Sequence, residues 1–334
     1  MGNSRRTFLK HLALATGAIM VPAPGIGATR TDKWGEILPL RKLGKTDQKV
    51  TMLGLGGYHI GWTSEKDARE VIETAMAGGI RFFDTAESYD KGGSERRYGK
   101  YLVPKYRDEV FIMSKSTAKN GQLALEHLEG SLQRMGCDYV DLWQVHSLST
   151  PEDVDERVNN EILEVFEKAK SQGKAKHIGF TGHQNPFAHQ RMLEKTASKD
   201  IFETVQMPIN VLDAYFHSFI EHVLPLSLER NLGVLAMKTL ADGRFFAEKK
   251  INEKLIWSSD DPLIPNHISV EEALFFVWSL PVSVLITGAE NKLMLQEKIE
   301  LANRFVKFTQ SDRMNLMTRV HEKAGGKIEY YKKV

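Results

Sequence analysis

Val282-Ser283-Val284-Leu285-Ile286-Thr287 is a short, almost wholly apolar run that stops at Gly288. It is the eighth of its kind. Similar β-rich runs fall at 51–56, 81–85, 110–114, 139–145, 175–180, 204–207 and 233–237. Continuous apolar runs, rather than alternating ones, suit strands covered on both faces, as in a parallel sheet. Between them the apolar period changes to that of a helix. Ala68, Val71, Ile72, Ala75 and Met76 form one stripe, Leu125, Leu128, Leu132 and Met135 a second, and Ile162, Val165, Phe166 and Ala169 a third. Gly78-Gly79, Gly136 and Gly173 stand just past these segments, where a left-handed residue ends a helix without steric cost. Eight strand–helix units, rather than five or six, separate a closed α/β (β/α)8 TIM barrel from an open doubly wound sheet.

Outside the eight units, residues 38–43 and 49–52 flank Gly44-Lys45-Thr46-Asp47 and predict a β-hairpin before the first barrel strand. An excursion over 241–268 follows strand seven, on the face where such barrels place their sites, and reads as a lid or pocket wall. A helix is expected over 311–323. The proportions of the 334 residues, 42% hydrophobic and 26% charged with 26 Gly and 11 Pro, exclude a disordered or collagen-like chain. A net charge of +2 without a long basic block gives no footprint for nucleic acid. The single cysteine, Cys137, excludes an intramolecular disulfide framework and a Cys-based metal site, and reads as inert packing in a helix-to-strand turn.

Ser4-Arg5-Arg6-Thr7-Phe8-Leu9-Lys10 precedes a mostly apolar stretch over 12–21, then Pro22, Pro24 and the small residues near Gly27-Ala28. The stretch is too short to span a bilayer, which needs ~20 residues. The pattern resembles a twin-arginine (Tat) signal peptide, which implies passage through the Tat translocon, export to the periplasm and no stable membrane insertion. The expected organisation is a signal over 1–28, a linker over 29–37, the barrel over 38–310 and a C-terminal helix and tail over 311–334. Cleavage of the signal and its retention as an anchor both stay open.

In a barrel of this kind chemistry gathers at the C-terminal ends of the strands. Strand two ends at Asp84 with Tyr89 on the following loop, strand three ends at Lys115 and strand four at His146. Singly, each has a plainer reading as a turn aspartate, a snorkelling lysine or a structural histidine. Together they suit proton donation to an oxygen gaining negative charge. A lysine ammonium beside the tyrosine favours its phenolate and lowers its pKa, the aspartate holds the lysine, and the histidine orients a carbonyl. Hydride transfer requires a cofactor, since no side chain donates hydride.

Phe83-Asp84-Thr85-Ala86-Glu87-Ser88-Tyr89 with Gly93-Ser94-Glu95, then Ser114-Lys115 and Gln144-Val145-His146, resembles the aldo-keto reductase superfamily over most of the chain. The resemblance implies Asp84, Tyr89, Lys115 and His146 as catalytic residues, with Tyr89 the general acid, and a nicotinamide cofactor bound without a Rossmann fold. Gly54-Leu55-Gly56-Gly57-Tyr58-His59 indeed lacks the third glycine of that fingerprint. The resemblance also implies cofactor contacts at Thr181 and Gln206, at Met237 and Lys238 in place of the usual Tyr-Ser, at Gly288 and Glu290, and at Glu297. Gly182 stands where many members carry asparagine. Glu290 occupies the position of the arginine that takes the 2′-phosphate of NADP, with Lys292 as a compensating base. NADP is the family habit and NAD the alternative.

The expected substrate is a small carbonyl or alcohol: an aldehyde, ketone or sugar-type carbonyl. Oxidation of an alcohol or sugar, and a catalytically quiet barrel acting as a binding or regulatory subunit, are the competing readings. Tyr58, His59 and Trp62 after strand one, and His183 after strand five, are candidate pocket walls. The other histidines are scattered and show no metal-ligand spacing.

Overall fold

The structure, a computed structural model, describes residues 30–251 and 253–334, so the twin-arginine segment lies outside the described residues. All eight predicted strands form. We label them β1 (Leu53–Gly56), β2 (Phe82–Asp84), β3 (Phe111–Ser116), β4 (Val140–Val145), β5 (Ala175–Thr181), β6 (Thr204–Pro208), β7 (Gly233–Met237) and β8 (Val284–Thr287). Every neighbouring pair is parallel, and β8 returns to β1 to close the barrel. β1, β2, β4, β6 and β8 are buried along their whole length, which accounts for their continuous apolar runs.

The helices seal the outside of this cylinder. In Glu65–Ala77 the buried residues are Ala68, Val71, Ile72, Ala75 and Met76, the predicted stripe, and Ser64 caps the first turn by accepting from Asp67 N. Helices Gly121–Met135 and Ile162–Ser171 bury Leu128, Leu132, Met135, Phe166 and Ala169 in the same way, and Phe166 stacks on Trp143 of β4 at 3.7 Å. Leu125 and Val165 sit at the stripe margins and are only half-buried.

The predicted hairpin pairs Leu40–Lys42 with Lys49–Thr51 and plugs the N-terminal mouth of the barrel. Its Leu43 and Val50 pack onto the inward-facing Phe82, Met113, Leu142, Leu235 and Val284. The turn runs so close to β7 that a side chain on Gly44 (φ +56°) would place Cβ 2.1 Å from Gly233 N. Residues 29–37, expected to be a linker, instead carry a second hairpin, Arg30–Asp32 against Gly35–Ile37. The reason lies outside the segment. Arg81, just before β2, grips Asp32 with Nε and Nη2 at 2.6 and 2.9 Å, and Leu38 N donates to Gly79 O.

The excursion after β7 folds on itself as a hairpin, Glu248–Ile251 against Lys254–Ser258, followed by the short helix Leu263–Asn266. The helix Gln310–Val320 then leads into a tail that returns to the C-terminal mouth. There Lys332 is fully buried between Asp213 at 2.7 Å and Glu329 at 3.0 Å, while Asn210 Nδ2 donates to Glu329 at 2.9 Å and to Tyr331 OH at 3.0 Å. Among the described residues no helix is long and apolar enough to cross a membrane, and no group of His, Cys, Asp and Glu is placed to hold a metal. Cys137 is partly buried at its turn, where burial pushes the thiol pKa up.

Candidate active site

A cavity of about 700 Å³ opens at the C-terminal ends of the strands. Asp84, Tyr89, Lys115 and His146 all line it. The β-pleat of β3 turns Lys115 inwards, where its Nζ donates to Asp84, to Thr85 O at 2.8 Å and to Tyr89 OH at 3.1 Å. Lys115 also lies under the Tyr89 ring, 4.6 Å from its centroid. The turn out of β1 makes room for this arrangement, because a Cβ on Gly57 would lie 2.3 Å from Asp84 O. The His146 ring meets Tyr89 edge-on at 5.8 Å, and its Nδ1 is 3.5 Å from Ser88 Oγ. Behind it, buried Arg157 holds the strand end by donating to His146 O at 3.0 Å and Ala118 O at 3.1 Å.

The electrostatics depart from expectation in one respect. Lys115 does favour the phenolate of Tyr89, but burial is the larger effect and pushes the phenol up to about 12 rather than down. Burial also pulls Lys115 down, yet Asp84 and Tyr89 beside it more than offset this and hold it above the usual lysine range. Burial, reinforced by Lys115, pushes His146 well below the usual histidine range, so its ring is neutral.

Six of the residues expected at a cofactor line the same cavity: Thr181, Gln206, Met237, Lys238, Gly288 and Glu290. Lys292 and Glu297 do not. Lys292 points away to Glu70 at 3.2 Å, and Glu297 is exposed on the helix Lys292–Asn303. At 100° per residue the next position, Lys298, turns inwards instead, and its buried Nζ donates to Gly288 O at 2.7 Å. Tyr58, His59 and His183 line the cavity as expected, whereas Trp62 stands behind His59, with ring centroids 5.4 Å apart. Lys238 is half-buried. It sits with φ +57° and is 3.5 Å from Asp242, which Lys249 also pairs at 2.9 Å. These two lysines hold the buried Asp242 carboxyl down at about 2 despite its desolvation. Asp242 also accepts from Tyr330 OH, so the excursion and the tail meet over the cavity. Tyr330 carries no periodic signal in the sequence, and Asp242 and Lys249 are marked only by the length of their loop.

The lining fits a nicotinamide dinucleotide. Gln206 Oε1, Thr239 Oγ1 and His59 Nδ1 are buried, line the cavity and have no partner within the protein. A ligand dense in amide, hydroxyl and phosphate groups satisfies such atoms.

Residues 52–317 match the aldo/keto reductase family. The chain belongs to that family. As an aldo/keto reductase it is an NAD(P)-dependent oxidoreductase acting on CH–OH and carbonyl groups. It is similar to the uncharacterized oxidoreductase YqkF of Bacillus subtilis, 25% identical over 294 residues that cover 79% of this chain and 90% of the relative. L-galactose dehydrogenase of Arabidopsis thaliana is 30% identical over 230 residues, 62% of this chain and 66% of the relative. NADH-specific methylglyoxal reductase of Escherichia coli is 28% identical over 228 residues, 60% and 67% of the two chains. The holo form of an aldo-keto reductase from Bacillus halodurans shares the fold with a TM-score of 0.72, at 20% identity over 87% of this chain and 99% of its own.

Proposed function

We propose that this aldo/keto reductase reduces the carbonyl group of a small aldehyde, ketone or sugar, with Tyr89 as general acid. The observation that carries the reading is the single buried contact set in which Lys115 bonds Asp84 and Tyr89 OH together, beside His146, on the cavity floor. Thr181, Gln206 and Lys238 would hold a nicotinamide dinucleotide, NADPH or NADH, whose chemistry when bound would be hydride donation to the carbonyl carbon. The carbonyl oxygen then gains charge, and Tyr89 OH delivers its proton there. A phenol near 12 is still a far stronger acid than an alcohol, given ~15.7 for water itself, so the transfer runs downhill. Lys115 stabilises the phenolate that remains, and Asp84 fixes Lys115 in place. His146, neutral and with Nδ1 turned to Ser88, offers Nε2–H to the same oxygen. The same groups in reverse oxidise an alcohol, and the L-galactose dehydrogenase among the relatives keeps sugars within the substrate class.

Tyr89→Phe tests the assignment. It keeps the ring and removes the proton donor, so kcat for carbonyl reduction falls by roughly 10²–10⁴ while nucleotide binding persists. An unchanged kcat refutes the role. The run over 4–10 supports export by the Tat route to the periplasm. Replacing Arg5 and Arg6 with lysine should then leave the protein in the cytoplasmic fraction, and unchanged fractionation would sink that part.

A further inference from the structure

We infer that this chain selects NADH over NADPH, and that the carboxylate of Glu290 makes the selection. The inference rests on the oxidoreductase reading above. With the reactive ring of a dinucleotide at Tyr89, we place its adenosine half beyond β8, where Gly288, Glu290 and Lys298 line the same cavity. At such an end a carboxylate hydrogen-bonds the free 2′-hydroxyl of NAD, whereas a 2′-phosphate needs a cation.

Glu290 is free to play the first part. It is partly buried, and its carboxylate has neither a hydrogen bond nor an ion pair among the described residues. A partly buried acceptor without a donor gains from a hydroxyl and is repelled by a phosphate, which brings roughly −1.5 to −2 charges. The compensating cations are already engaged. Lys292, the base that the sequence offers for rescue, faces out to Glu70. Lys298 donates a hydrogen bond to Gly288 O from a buried position, and Lys249 is paired with Asp242. Among the described residues no arginine lines the cavity. A 2′-phosphate would therefore meet a carboxylate, while of the lysines lining this wall Lys249 and Lys250 already face Asp242 and Glu248, and Lys298 is committed by one of its donors to Gly288 O.

The test is equilibrium binding to the full chain freed of carried nucleotide. NADH and NADPH are titrated separately at low salt while tryptophan fluorescence is followed, with Trp62 beside the cavity-lining His59 as reporter. The expected result is a Kd for NADPH at least about tenfold above that for NADH. Glu290→Gln should narrow the ratio several-fold by tightening NADPH, and Glu290→Lys should reverse it. Equal or tighter binding of NADPH by the unmodified chain overturns the inference and leaves the oxidoreductase reading standing. A ratio unmoved by Glu290→Gln overturns the role of Glu290. Failure of both nucleotides to bind overturns the oxidoreductase reading and this inference with it.

Discussion

Lys332 is the most exacting place to perturb this protein, because an ammonium with a fully buried side chain holds the C-terminal tail against the barrel. Its Nζ is 2.7 Å from Asp213, 3.0 Å from Glu329 and 2.6 Å from Phe216 O. At an effective dielectric of 20 the 2.7 Å pair alone is worth about 6 kcal/mol of Coulomb energy, most of it offset by desolvation of the two ions. Breaking such a pair on one side costs about 3–5 kcal/mol, because the other charge is left buried and alone. In Lys332→Met the two carboxylates fare differently. Asp213 still accepts from Ser218 Oγ, Phe219 N and Ile220 N, so it stays solvated by the protein. Glu329 keeps only Asn210 and Tyr331, and burial already holds its pKa above the usual carboxylate range.

The loss therefore falls on the tail rather than on the barrel. Releasing residues 324–334 exposes Ile328 and Tyr331, about 1.5–3 kcal/mol each, and returns the backbone entropy of the freed residues. Undocking is thus cheaper than tolerating a buried anion, and it caps the damage. The expected result is a nearly unchanged main thermal transition, with hydrogen-exchange protection of the tail amides lost by two to three powers of ten at pH 8. Tyr330 leaves Asp242 with the tail, so KM rises while the Tyr89 chemistry continues. The sign of the pH effect is fixed. A carboxyl with a raised folded pKa binds its proton more tightly in the docked state, so docking strengthens as pH falls. The variant tail should re-dock towards pH 4.5. Unchanged protection at pH 8, or a defect that deepens in acid, would refute this reasoning.

Other perturbations follow from the same contacts. Lys115→Met leaves Asp84 buried without its cation, so stability should fall by about 3–5 kcal/mol in chemical denaturation and reduction should cease. With Tyr89 near 12, carbonyl reduction should keep its proton donor from pH 6 to 10, whereas alcohol oxidation, which needs the phenolate, should rise about tenfold per pH unit there; a reduction rate falling above pH 8 for want of that proton would contradict it. Gly44→Ala combines a left-handed backbone with a Cβ 2.1 Å from Gly233 N, and should cost roughly 3 kcal/mol or more by thermal melting without altering nucleotide affinity.

The contrast between what was and was not legible in the sequence follows the range of the forces involved. Strands β1–β8 and the stripe from Ala68 to Met76 were readable because burial on a regular element repeats with the period of that element. Asp84, Lys115 and His146 were readable for the same reason, since a strand end has a known place in a barrel. The hairpin Arg30–Asp32 with Gly35–Ile37 was not, because it is held by Arg81, some fifty positions away, and nothing local distinguishes it from a linker. The direction of the Tyr89 shift failed for a related reason. The lysine partner is visible as a motif, but the desolvation that outweighs it is summed over every element enclosing the ring.

The cofactor wall shows the same limit on a finer scale. Lys292 and Lys298 are both basic, both on the helix Lys292–Asn303, and six positions apart. Sequence alone favours Lys292, which stands nearer the strand end. The helix turns it outwards to Glu70 and brings Lys298 under Gly288 O. A charge count near β8 thus suggests a phosphate site with compensation, whereas among the described residues that line the cavity Glu290 is the one charged side chain without a hydrogen bond or ion pair. What a binding end selects depends on which charges remain unpaired after folding, and here the unpaired one is negative.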